Sequence, residues 1–207
     1  MARVYLNGEF VERERACVPV TDRGLLFGDS VYEVIPAFAG VPFRAAQHLA
    51  RLQRGLDAIR LDNPHTEAEW LALLARLCGE RPGEDQSLYL QVTRGSYPKR
   101  AHKIPAQVTP TVIAFSSPLG ERDPDIATHG IKVVTLPDIR WHHCDLKTTN
   151  LLPNVLAQAE AADRGAVDAI LVRDGQAMEG TASNLFIVLE GLLITPPDSD
   201  QLLPGIT

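Results

Sequence analysis

At Ala45 the apolar residues of this chain change their period, and that change constrains the fold more than any other feature. Before it, Val4-Tyr5-Leu6 and Glu9-Phe10-Val11 flank Asn7-Gly8, the dipeptide that turns a two-residue hairpin. Val31 to Phe38, Ala39-Gly40 and Val41-Pro42-Phe43 repeat the arrangement, with Phe27-Gly28-Asp29-Ser30 as the turn that aims them. After it, Leu49, Leu52, Leu56 and Ile59 recur at helical spacing, and Glu67 to Cys78 carries a second helical stripe through Trp70, Leu73, Leu74 and Leu77. The period then returns to two: Leu88, Leu90 and Val92 alternate, and Thr111 to Phe115 forms a further strand. Blocks of hairpins separated by paired helices predict an α+β fold, not a doubly wound parallel sheet.

Ser117 to Gly130 is polar and broken by prolines, so two domains are expected: 1–117, a linker at 118–130, and 131–207. The second should hold a strand at Ile131–Leu136, a helix at Asn150–Arg164 with Pro153 in its first turn, and strands at Val167–Val172, Asn184–Val188 and Leu192–Thr195. Leu203-Pro204-Gly205-Ile206-Thr207 ends the chain on a turn that should lead onward, so a further C-terminal segment is expected.

A formal charge of −6 over 207 residues, with both signs scattered, argues against nucleic acid or anionic membrane as a partner and leaves small polar molecules. No apolar run reaches membrane-spanning length. Cys17, Cys78 and Cys144 form no CxxC pair, which fits a reducing cytoplasm and excludes a disulfide framework or zinc module. His142 and His143 are adjacent on an extended segment and point to opposite faces, so no metal site is expected.

Lys147 asks for an explanation. Leu146 precedes it and Leu151, Leu152, Val155 and Leu156 follow, a pattern that lays its backbone against a core. A lysine held there is partly desolvated, which favours the neutral amine that attacks carbonyls, the environment of a Schiff-base lysine. The alternative is an ordinary exposed lysine at a strand end.

Cys144-Asp145-Leu146-Lys147 with Thr148-Thr149-Asn150-Leu151-Leu152 resembles the lysine segment of fold-type IV pyridoxal-phosphate enzymes, which include D-amino-acid and branched-chain aminotransferases and aminodeoxychorismate lyase. Asp22-Arg23-Gly24, Phe27-Gly28-Asp29-Ser30-Val31-Tyr32-Glu33, His48-Leu49-Ala50-Arg51-Leu52, Glu179-Gly180-Thr181-Ala182-Ser183-Asn184 and Leu203-Pro204-Gly205-Ile206-Thr207 resemble further motifs of that family, in its order. The resemblance implies a pyridoxal 5'-phosphate transaminase that passes an amino group between a D-amino acid and a 2-oxo acid, acting as a homodimer. It implies that Lys147 forms the aldimine and moves the proton, that Glu179 pairs with the ring nitrogen, and that Arg51 with the Ile206 and Thr207 amides binds phosphate.

Arg94-Gly95-Ser96-Tyr97-Pro98-Lys99-Arg100-Ala101-His102 resembles the Arg-x-His loop of D-amino-acid aminotransferases. Tyr32, Arg100 and His102 are then the carboxylate ligands, the last two supplied by the neighbouring subunit. The loop is one residue longer than that pattern, which leaves Lys99 as an alternative to Arg100. Branched-chain aminotransferase and aminodeoxychorismate lyase activities keep Lys147 and Glu179 alike. A non-catalytic protein of the same fold would bind no cofactor.

Overall fold

The computed structural model describes residues 3–120 and 123–207. It divides into two compact units: one runs to Gly120 and takes in Lys147–Thr149 and Ile206–Thr207, and the other holds the chain up to Leu146 together with Asn150–Gly205.

The first unit opens with strands β1 (Val4–Leu6) and β2 (Glu9–Val11), turned by Asn7 at φ 50° and Gly8 at φ 104°. Two successive positive φ values are what a type I′ turn demands, and Asn-Gly meets them with little strain. A single helical turn follows, α1 (Arg23–Phe27), capped by the Asp22 carboxylate and closed by Gly28 in the left-handed region. Strands β3 (Ser30–Phe38) and β4 (Val41–Pro42) make the second hairpin. Helix α2 (Ala45–Ala58) comes next, then α3 (Glu67–Gly79), which Thr66 and Glu69 start with a reciprocal capping box. Strands β5 (Gln86–Thr93) and β6 (Thr111–Pro118) complete a six-stranded sheet in the order β2-β1-β6-β5-β3-β4.

Every pairing in this sheet is antiparallel, so residues along each strand alternate between faces. Val31, Ile35, Leu88, Leu90, Val92 and Ala114 join Leu49, Leu52 and Leu56 of α2 and Trp70, Leu73, Leu74 and Leu77 of α3 in one core. Tyr32, Tyr89 and Phe115 stack in sequence across β3, β5 and β6, with ring centroids 5.7 and 4.8 Å apart. Burial pushes the Tyr89 phenol up to about 12.

The second unit contains α4 (Pro124–His129), β7 (Val133–Pro137), α5 (Leu152–Asp163), β8 (Asp168–Arg173) and β9 (Gln176–Gly180). The six residues of α4 are helical inside the stretch expected to be a linker, because Asp123 caps them and Pro124 suits the first turn. Strands β7 and β8 are parallel and joined through α5, while β8 and β9 form a hairpin turned by Asp174 and Gly175. A last hairpin pairs β10 (Ile187–Leu189) with β11 (Leu192–Ile194).

The apolar residues after Lys147 behave differently from the expectation. Leu152, Val155 and Leu156 are exposed, and α5 packs through Ala157 and Ala161 against Leu136, Ala166, Ala169 and Leu171. Small residues let the helix backbone approach the strands closely, which leaves the larger side chains on its outer flank. Among the described residues no helix is long and apolar enough to cross a membrane.

Candidate active site

The residues singled out in the sequence fall in both units and are built here unit by unit. In the first, Lys147–Thr149 runs beside the start of β3. The Tyr32 amide donates to the Lys147 carbonyl at 3.0 Å, Thr148 bridges to Val31, and the Ser30 and Thr149 hydroxyls are hydrogen-bonded to each other. Backbone pairing therefore holds Lys147, not the leucines downstream of it. Its Nζ lies 4.4 Å from the centroid of the Tyr32 ring and donates to the Tyr32 hydroxyl at 3.4 Å. Burial raises the Tyr32 phenol above its ordinary range, with the Glu33 charge adding to the effect, so the hydroxyl stays protonated at neutral pH.

Glu33 follows Tyr32 and points to the opposite, helix-covered face, where its side chain is fully buried. Arg51 donates to it twice, Nε to Oε1 at 2.6 Å and Nη2 to Oε2 at 2.8 Å, and His48 Nδ1 meets Oε2 at 2.8 Å. The i,i+3 spacing on α2 puts His48 and Arg51 on one face, so both reach one carboxylate. Burial by itself would raise the Glu33 carboxyl, but Arg51 and His48 outweigh it and hold the group below its usual range. Arg51 is thus a buried, bidentate partner of Glu33, 8% exposed. The second candidate phosphate segment is tied to the same unit by Arg44, which donates to the Ile206 carbonyl; Thr207 is exposed.

Arg100 and His102 gather around Phe27. The Arg100 guanidinium carbon is 5.2 Å from the Phe27 ring centroid, and the His102 ring meets the same phenyl edge-on at 5.4 Å. Lys99, the alternative carboxylate ligand, is exposed on the same loop.

In the second unit Glu179 lies on β9 and is 6% exposed. Arg140 Nη1 donates to its Oε1, the Leu203 amide donates to Oε2 at 3.1 Å, and Asn184 Nδ2 reaches Oε2 at 3.4 Å. Arg140 is oriented by Asp138, to which Nε and Nη2 donate at 2.9 Å each, and Arg173 shares that carboxylate. Burial pushes the Glu179 carboxyl up, and Arg140 chiefly opposes it. Asp168 organises the turn after β9 by accepting from the Thr181 amide, the Thr181 hydroxyl and the Ser183 hydroxyl. A Cβ on Gly205 would meet the Asn184 amide oxygen, so a larger residue there would have to displace that side chain.

Arg140, Asp138 and Glu33's double clamp were not read from the sequence as parts of the site. The Asp138-x-Arg140 spacing was a weak local signal; that Arg140 meets Glu179, 39 residues on, had none. Taken unit by unit, the groups suit parts of a phosphorylated aldehyde cofactor: in the first, a primary amine beside a protonated phenol and a buried guanidinium; in the second, a buried carboxylate of the kind that pairs with a basic ring nitrogen. Among the described residues no three His, Cys, Asp or Glu side chains are grouped to hold a metal ion.

The model of the amino-transferase class IV family matches residues 30–207. A D-alanine aminotransferase of Bacillus licheniformis is 38% identical over 205 residues, covering 99% of this chain and 72% of that protein. The structure resembles that of a branched-chain aminotransferase from Thermoproteus uzoniensis determined with norvaline, with TM-score 0.88 and 29% identity over 100% of this chain and 72% of the other. It also resembles 4-amino-4-deoxychorismate lyase from Pseudomonas aeruginosa, with TM-score 0.80 and 29% identity over 96% of this chain and 72% of the other.

Proposed function

The chain belongs to the class IV aminotransferase family, whose enzymes use pyridoxal phosphate, and from that premise we propose that it transfers an amino group between a D-amino acid, such as D-alanine, and a 2-oxo acid such as pyruvate or 2-oxoglutarate. The observation that carries the chemistry is Lys147, an amine fixed by strand-like backbone bonds against the Tyr32 ring and hydroxyl. The identity to D-alanine aminotransferase over nearly the whole chain favours the D-series.

When bound, the cofactor supplies an aldehyde for Lys147 and an electron-accepting ring that makes the substrate Cα–H acidic. Lys147 Nζ would take the proton from the substrate Cα as base and deliver it as acid to a different carbon, one residue serving both roles in the 1,3-proton shift. The Tyr32 hydroxyl orients that nitrogen. Glu179 holds the proton on the ring nitrogen, and Arg140 keeps the carboxylate ionised against the push of burial. Arg51 binds the phosphate dianion, aided by the Ile206 and Thr207 amides, and Glu33 fixes the direction of its guanidinium. Tyr32, Arg100 and His102 bind the substrate carboxylate, the last two reaching a second copy of the chain in a homodimer. Cys17, Cys78 and Cys144 are free thiols, which suits a reducing cytoplasm.

The test has two stages. Adding cofactor should produce a visible absorption band that borohydride fixes to Lys147, and Lys147→Ala should abolish both; a colourless wild type would sink the enzyme reading. D-alanine, L-leucine and aminodeoxychorismate are then assayed side by side. Preferential turnover of L-leucine would transfer the assignment to the branched-chain activity that the resemblance to the Thermoproteus uzoniensis structure supports.

A further inference from the structure

Arg23 has no role in the chemistry above, yet it is 4% exposed and its guanidinium is fully committed. Nε donates to Asp29 Oδ2 at 2.8 Å, Nη1 to the Ala101 carbonyl at 2.7 Å, and Nη2 reaches the His102 carbonyl at 3.4 Å. Asp29 is also held by Arg94, whose Nε donates to the same Oδ2 at 2.8 Å and whose Nη2 donates to Oδ1 at 3.0 Å, and Arg94 is itself seated on the carbonyls of Ile59 and Arg60. Phe27, one helical turn beyond Arg23, lies 4.8 Å from the Arg23 guanidinium and also contacts Arg100 and His102. Ala101 and His102 are otherwise exposed. A buried cation thus bonds to two carbonyls of a surface segment, 78 and 79 residues away.

We propose that Arg23 is the positioning residue for the substrate carboxylate: it ties the 100–102 segment to the Asp29–Arg94 ion pair and, with Phe27 beneath, fixes where Arg100 and His102 point. The inference rests on the reading of Arg100 and His102 as carboxylate ligands. A fork-shaped guanidinium satisfies one carboxylate and two carbonyls at once, which a lysine ammonium cannot do in this geometry. An untethered segment must be ordered each time substrate binds, and that cost falls on ground state and transition state alike. Loss of the tether therefore raises KM and leaves kcat nearly unchanged.

The test uses the cofactor-loaded protein and four forms: wild type, R23K, R100A/H102A and the triple variant. R23K keeps a charge beside Asp29 and loses the carbonyl fork. The expected result is a rise of about tenfold in KM for D-alanine, the value of one charge-assisted hydrogen bond, with kcat and the visible cofactor band retained. In the R100A/H102A background R23K should add nothing, since its effect passes through those side chains. Trypsin should cut after Arg100 faster in R23K than in wild type, a readout independent of turnover. An unchanged KM in R23K, or the same rise in both backgrounds, overturns the proposal. If R100A/H102A leaves KM unaltered, the carboxylate reading fails first and the proposal falls with it. Should R23K not fold, F27L replaces it, removing the platform while sparing the ion pair, with the same outcomes required.

Discussion

Replacing Glu33 by glutamine tests the buried charge network with little change of packing. The carboxylate is fully buried and meets Arg51 through both oxygens and His48 through one. Glutamine keeps one acceptor and turns its amide nitrogen on a donor, while Arg51 remains cationic in a nearly closed site. Breaking a buried pair from one side costs about 3–5 kcal/mol, and the retained acceptor places E33Q near the lower figure. For a chain of about 200 residues each kcal/mol moves the melting midpoint by roughly 2–4 °C, so E33Q should melt about 6–12 °C below wild type at neutral pH. The pH dependence has a definite sign. The folded Glu33 carboxyl lies below its ordinary value, so its stabilisation is complete above the unfolded value of about 4.3 and is lost as pH falls through the folded one. The variant has no such titration, and the gap between the proteins should close in acid. Calorimetric melting of both from neutral pH down to about pH 3 measures this. Midpoints within about 2 °C at neutral pH, or a gap that stays constant in acid, would refute the argument.

Arg140→Gln removes the main group opposing the burial of Glu179; the acid limb of kcat against pH should move to higher pH, because Glu179 must be ionised to hold the ring-nitrogen proton, and an unmoved limb would remove Glu179 from that role. Gly95→Ala places a Cβ against the Thr109 carbonyl oxygen at a φ of +81°. The left-handed conformation alone costs about 1–2 kcal/mol, so a loss of at least about 2 kcal/mol is expected in denaturant melts, and a neutral substitution would show that the Gly95 turn is not as close as described.

The residues most readily read from the sequence were those whose neighbours along the chain decide their conformation. Asn7-Gly8 and Ala39-Gly40 turn their hairpins where expected because consecutive positive φ values suit few residue types. The stripe of Leu49, Leu52 and Leu56 is buried as read, since helical periodicity is a property of the segment itself. Three elements were not legible: α4 lies inside the polar, proline-broken stretch expected to be a linker. The single turn of α1 is too short to show a period, and Gln176–Gly180 has no strand-like composition; it is a strand because β8 pairs with it. That pairing carries Glu179 into the interior. The apolar run after Lys147 misled in a different way, because Ala157 and Ala161 occupy the buried face expected of the leucines.

Local chemistry in the chain determined the Asn7-Gly8 and Ala39-Gly40 hairpins, the apolar stripes of α2 and α3 and the α+β character, each a consequence of steric preference or spacing within a few residues. Tertiary structure alone decided which charge meets which: Glu33 with Arg51 and His48, Glu179 with Arg140, Arg23 with Asp29 and the Ala101 carbonyl. Such partners lie from 6 to 78 residues apart. Ion pairs of this kind form where separate backbone paths converge in a place water has left, and no short window of sequence encodes that convergence.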